Sequence, residues 1–62
     1  MTTIKMNDGR TQYDTKENYT FIRNQIEQKI MYDEKMIEIT DVHEGKVLLN
    51  IDSIFSVKES RD

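Results

Sequence analysis

The clearest strand pattern in this 62-residue chain lies in MIEITDVHEGKVLLNI, residues 36–51. Ile37 and Ile39 alternate with polar neighbours, which is typical of a strand with one buried face. The segment His43-Glu44-Gly45-Lys46 predicts a tight turn, because glycine adopts turn conformations without steric cost. In the strand after it, the side chains of Val47, Leu49 and Ile51 are expected to face inward. The stretch therefore predicts an antiparallel hairpin.

A second hairpin is predicted near the start of the chain. Ile4 and Met6 alternate with polar residues, and Asp8-Gly9 is a strong signal for a hairpin turn. That turn needs a positive φ, which glycine supplies. A further strand is expected over residues 54–59, with Phe55 and Val57 on the same face, and residues 59–62 are expected to fray.

One helix is predicted between the hairpins, from near Lys16 to near Met31. Asp14 or Thr15 offers a capping oxygen, and Glu17 follows Asp14 by three residues, as in a capping box. Four residues lie within about 80° of one another on the helix and are expected to pack against a sheet: Tyr19, Ile22, Ile26 and Ile30. The sequence thus predicts one domain over residues 1–62, an α+β fold of order β-β-α-β-β-β with one amphipathic helix on one face of a small antiparallel sheet.

A second face of the predicted helix combines two aromatic residues with two neutral amides: Phe21, Gln25, Gln28 and Tyr32. Aromatic residues without neighbouring charges are typical of the centres of protein interfaces. One interpretation is a contact face for a partner or a second copy. The other is that Phe21 covers a loop or lies exposed, as single apolar surface residues often do.

The composition excludes several classes of protein. There is no cysteine and only one histidine, which excludes disulfide scaffolds and thiolate metal sites. No apolar run exceeds three residues, whereas membrane spans and secretory leaders require much longer runs. His43 with Asp41 and Glu44 is the one cluster that suggests acid–base or metal chemistry, but three neighbours on a turn converge poorly. We predict a cytoplasmic protein that is not an enzyme, with no catalytic residue, metal or cofactor.

The charges are moderate and dispersed. Nine Lys and Arg against twelve Asp and Glu give −3, without the basic stripe of a duplex DNA binder. An alternative prediction is single-stranded nucleic-acid binding on the exposed sheet face, which the net negative charge disfavours. There Tyr13 or Phe55 would stack on bases. The cations available for the phosphates are Lys5, Arg10, Lys46 and Lys58.

Part of the chain resembles small flagellar proteins of the FlbD/SwrD-like family. The residues that carry the resemblance are Met36–Thr40, Gly45-Lys46 and Leu49-Asn50-x-Asp52-x-Ile54, followed by Val57. The family's second half, a strand, an Asn-Gly-Lys type turn and a strand, is similar to residues 4–10, which here come first. The resemblance covers about 35 residues in permuted order. It implies a small curved sheet, a non-enzymatic role and, as an alternative function, a flagellar or motility-associated accessory protein. No functional residue carries over from it.

These observations predict a small non-catalytic module that binds another protein. It would act as an accessory, regulatory or inhibitor-like factor of a bacterium or mobile element. A chain of this length buries only about 60% of its unfolded surface, so the hydrophobic gain and the cost of ordering nearly cancel. A homodimer is therefore expected, built from the second helix face or from an edge strand.

Overall fold

Two glycine turns, one helix and a short 3₁₀ turn separate the five strands of the chain. The structure, a computed structural model, describes residues 1–59. Its elements are β1 Thr2–Met6, β2 Gln12–Thr15, α1 Tyr19–Met31, β3 Met36–Asp41, β4 Gly45–Asn50 and β5 Ile54–Glu59, with a short 3₁₀ turn at Ile51–Ser53. All strand pairs are antiparallel, in the order β4-β3-β2-β1-β5. The predicted α+β fold and its element order are confirmed.

The glycines take the turn conformations that the sequence predicts. Gly9, between β1 and β2, has φ 73°, and Gly45, at the start of β4, has φ 83°. These positive values lie in the region that a side chain makes costly.

The core lies between α1 and one face of the sheet, here called the inner face. Five large apolar residues are fully buried there: Ile4, Ile22, Ile37, Ile39 and Leu49. Ile22 comes from α1, and Ile26 packs against the same cluster. The prediction is wrong for Ile30, whose side chain is 62% exposed. Ile30 lies about 80° around the helix from Ile22, on which the packing is centred.

The start of α1 also differs from the prediction. β2 continues to Thr15, so Asp14 and Thr15 are strand residues and the helix begins at Tyr19. Asn18 is the N-cap, and its Oδ1 accepts a hydrogen bond of 2.8 Å from the Phe21 N–H. The hydroxyl groups of Thr2 and Thr15 both donate to the Glu17 carbonyl oxygen, which fixes the connection between β2 and α1.

The helix ends in a Schellman motif. The Asp33 N–H donates to the Ile30 carbonyl oxygen and the Glu34 N–H to that of Lys29. Asp33 has φ 57°, the left-handed conformation that glycine usually supplies at this position. A salt bridge of 3.0 Å between Lys29 and Glu34 takes the place of the apolar contact that often accompanies the motif.

Strand β2 separates from β3 after a single register pair, Thr15 with Asp41. The Lys16 N–H still donates to the Thr40 carbonyl oxygen at 2.8 Å. Beyond that point, helix-side groups replace the missing strand. Glu17 Oε1 accepts from the Thr40 N–H at 2.8 Å, and the Gln25 amide binds both backbone groups of Glu38 at 3.1 Å. Side chains therefore complete this edge of β3.

Strand β5 contains a β-bulge that changes its predicted facing. Lys5 pairs with Ser56 and Met6 pairs with Ile54, which leaves Phe55 as an extra residue. Ile54 and Val57 both pack against the core, whereas Phe55 is exposed. The expectation that Phe55 and Val57 share a face is therefore wrong. Of the predicted frayed tail, Glu59 pairs with Thr2 in β5, and residues 60–62 lie outside the described residues.

Candidate functional site

One side of α1 is uncharged from end to end. Six residues form this surface, here called the helix strip: Phe21, Asn24, Gln25, Gln28, Met31 and Tyr32. They lie within about 120° around the helix axis, and Phe21 and Tyr32 are about 16 Å apart along it. Phe21 is 54%, Tyr32 67% and Met31 77% exposed. In a chain with 34% charged residues, this is an unusually neutral and apolar surface.

Gln25 belongs to the fold as well as to the strip. Its Nε2 donates to the Glu38 carbonyl oxygen, and its Oε1 accepts from the Glu38 N–H. These two bonds hold the amide against β3. A partner on the strip would therefore find Phe21, Gln28 and Tyr32 available, with Gln25 already engaged.

The end of the helix carries two exposed residues that the predicted contact face did not include, Ile30 and Met31, next to Tyr32, which it did include. Ile30, Met31 and Tyr32 are consecutive, and all three are more than half exposed. Their run contained a usable signal, because three consecutive residues span about 200° of a helix and cannot all face one sheet. At least one of them had to face solvent.

The outer face of the sheet, opposite α1, brings together part of the predicted nucleic-acid set. Lys5, Arg10 and Phe55 line one open hollow, with Gln12 beside them. Lys58 lies on β5 opposite Thr3, on the same face. Tyr13 is not part of this surface, because it pairs with Ile4 and packs against the core. Lys46 lies on β4, at the far edge of the five-stranded sheet.

The cluster around His43 serves the turn between β3 and β4. Asp41 Oδ2 accepts the N–H groups of His43 and Glu44, each at 2.9 Å, and Oδ1 accepts the Asp14 N–H at 3.0 Å. The donated bonds, that of Glu44 first, hold the pKa of Asp41 below its ordinary value. Residues 1–59 contain no group of three His, Cys, Asp or Glu side chains placed to hold a metal. The Asp41 carboxylate is thus occupied by backbone donors.

Glu17 is a second carboxylate held by the backbone. Burial is the largest single influence on the pKa of Glu17 and raises it, but hydrogen bonds from Thr40 and from the backbone of Glu17, together with the charge of Lys16, outweigh burial, so the pKa lies below its ordinary value. Within the described part of the chain, no helix is long and apolar enough to cross a bilayer.

No protein-family model, curated protein or solved structure matches this chain. The resemblance to FlbD/SwrD-like proteins, and the flagellar role that it implies, stay predictions.

Proposed function

We propose that this protein is a small, non-catalytic, cytoplasmic module that binds another protein through the helix strip. One observation carries the proposal. Among residues 1–59, eight large hydrophobic side chains are exposed, whereas only five form the buried core. Three of the eight lie on the helix strip: Phe21, Met31 and Tyr32.

The charge distribution supports the same surface. The centre of a protein interface is depleted of charge and enriched in aromatic residues and methionine. The helix strip has this composition, and the salt bridge between Arg23 and Glu27, at 3.1 Å, lies beside it on the helix. The strip is therefore uncharged, with apolar residues at both ends, neutral amides between them and charged residues beside it, and it suits a partner that presents an uncharged surface.

The exposed apolar side chains of the strip supply part of the free energy that an interface requires. Fully burying a large apolar side chain is worth about 1.5–3 kcal/mol, and more than half of Phe21, Met31 and Tyr32 is still exposed. Together they offer on the order of 3–5 kcal/mol before the costs of association are subtracted. Phe21 and Tyr32 are the expected hot spots, because aromatic anchors dominate most interfaces.

Site-specific photo-crosslinking tests the proposal. A benzophenone-bearing phenylalanine replaces Phe21 or Tyr32 in one variant each, and Phe55, on the opposite face, in a control. In cells of the source organism, we expect the same protein to be crosslinked from positions 21 and 32 and not from position 55. Crosslinks only to a second copy would make the strip a self-association surface. No adduct from either helix position would refute the proposal.

Self-association is proposed separately, through β4. In β3, the backbone groups of Glu38 and Thr40 bond to Gln25, Glu17 and Lys16, and therefore point away from β4. By alternation, Lys46, Leu48 and Asn50 direct their backbone groups to the free edge of β4. β5, the other edge, carries a bulge and charged residues that protect it from pairing. β4 is regular over all six residues.

Sedimentation measurements test the dimer. We expect a concentration-dependent dimer in the native chain and a monomer in Leu48→Lys, because a lysine on an edge strand opposes pairing. The matched control is Phe55→Lys, which adds the same charge at an exposed position of the other edge strand and should leave the dimer intact. A monomer at all concentrations would rule out this assembly.

A further inference from the structure

The bulge in β5 places one aromatic ring where a regular strand would not. Phe55 is 74% exposed, although it lies between Ile54 and Ser56 in a strand whose other apolar residues face inward. In a regular strand, Ile54 and Val57 would point to opposite faces. The extra residue lets both pack on the core and directs Phe55 outward.

Three cations lie on the same face of the sheet as this ring. Lys5 faces the bulge from β1, and Arg10 lines the same hollow from the β1–β2 turn. Lys58 is two positions beyond Ser56 on β5, so its Cα lies roughly 8 Å from that of Lys5 by strand geometry. Phe55, Lys5, Arg10 and Lys58 are here called the cationic patch.

The carboxylates near the cationic patch bind other groups. Within residues 1–59, none of the three cations forms a salt bridge, whereas Arg23, Lys29 and Lys35 do. Asp14, on the same face, accepts the Thr3 hydroxyl, and Asp8 accepts the N–H groups of Arg10 and Thr11 within the turn. The charged groups of Lys5, Arg10 and Lys58 are therefore not paired with a carboxylate among residues 1–59 and can contact an anionic ligand, although the net charge of the chain is −3.

We infer that the cationic patch binds single-stranded nucleic acid, a binding activity beyond the proposed function and on the opposite side of the sheet. An exposed ring beside cations matches the chemistry of single strands, whose bases stack on aromatics while Lys and Arg neutralise phosphates. A duplex hides the base faces from a single ring. With two or three phosphates neutralised, the logarithm of affinity should fall against the logarithm of salt with a slope of about −1.4 to −2.1.

Fluorescence anisotropy with a labelled oligothymidine of about 20 nucleotides tests the inference, starting at about 20 mM salt, where few-phosphate contacts are strongest. We expect saturable binding that Phe55→Ala weakens about 5- to 150-fold and Phe55→Trp preserves. Lys5→Glu with Lys58→Glu should weaken it by at least about 10-fold. Two controls, Phe21→Ala on the helix strip and Lys46→Glu at the far edge, should stay within about threefold.

Deletion of Phe55 is a second, fold-preserving probe. The register places Ile54 opposite Met6 and Ser56 opposite Lys5, so removal of the extra residue leaves a regular ladder. This variant should keep the circular dichroism spectrum and melting transition of the native chain but should no longer bind the oligonucleotide. Absent binding at low salt, equal binding of a duplex, or binding unchanged by Phe55→Ala would each overturn the inference. So would a crosslink from position 55 to a protein alone. None of these results bears on the helix strip, which is tested from positions 21 and 32.

Discussion

The Gln25 amide completes the edge of β3, and its removal should weaken the fold measurably. In Gln25→Ala, the Glu38 N–H and C=O both lose their partner, at 3.1 Å in each case. No strand takes over, because β2 leaves β3 after Thr15. The substitution therefore opens the stretch of β3 that faces α1.

The expected loss follows from the two bonds. A protein hydrogen bond contributes about 0.5–1.5 kcal/mol net, and Glu38 is exposed, so water replaces part of what is lost. We expect the free energy of unfolding to fall by about 1 kcal/mol in total. For a domain of about 60 residues this lowers the melting temperature by about 4–8 °C.

Gln28→Ala is the matched control. It removes the same type of side chain from the same helix, at an exposed position whose side chain forms no hydrogen bond among the described residues, and should change stability by less than about 0.5 kcal/mol. Thermal melts by circular dichroism give the comparison, and hydrogen exchange at the Glu38 amide localises it. Equal melting temperatures for the two variants, or unchanged exchange at Glu38, would show that Gln25 does not support β3.

Further predictions concern acid stability, the helix end and the exposed rings. Because the pKa of Asp41 is lowered in the fold, its contribution is complete above the ordinary value near 4 and is lost as the pH falls through the folded value. The melting temperature should therefore drop below about pH 4, and Asp41→Asn should be less stable at pH 7 but approach the native chain in acid. Asp33→Gly should raise the melting temperature by about 2–4 °C, and Asp33→Ala should lower it, because φ 57° favours glycine. Phe21→Ser and Phe55→Ser should each melt within about 3 °C of the native chain, since both rings are largely exposed.

The strands and the centre of the core follow from local patterns in the sequence. Alternation gave Ile37, Ile39 and Leu49 their inward positions, and the positive φ of Gly9 and Gly45 agrees with the turns that glycine predicts. Each of these signals depends on residues within one strand or turn. Periodicity is therefore sufficient for them.

The helix boundary and the role of Gln25 depend on distant parts of the chain. Asp14, Thr15 and Asn18 are all good N-caps, and pairing with β1 and β3 takes the first two into β2. The hydrogen bonds between Gln25 and Glu38 can be predicted only when the point at which β2 leaves β3 is known. No local sequence pattern gives that point. The helix strip could accordingly be predicted in outline from periodicity, but the role of Gln25 in the fold could not.

The bulge in β5 places Phe55 at a position where its side chain contributes neither to strand pairing nor to the core. On both sides of Phe55 the pairing of β5 with β1 is in phase, so this one residue adds nothing to the ladder. Its ring also adds little to the core, which already receives Ile54 and Val57 from the same strand. The insertion places an aromatic side chain near Lys5 on an otherwise polar part of the outer face. Neither pairing nor burial accounts for Phe55, and the oligonucleotide measurement tests whether its ring binds a ligand.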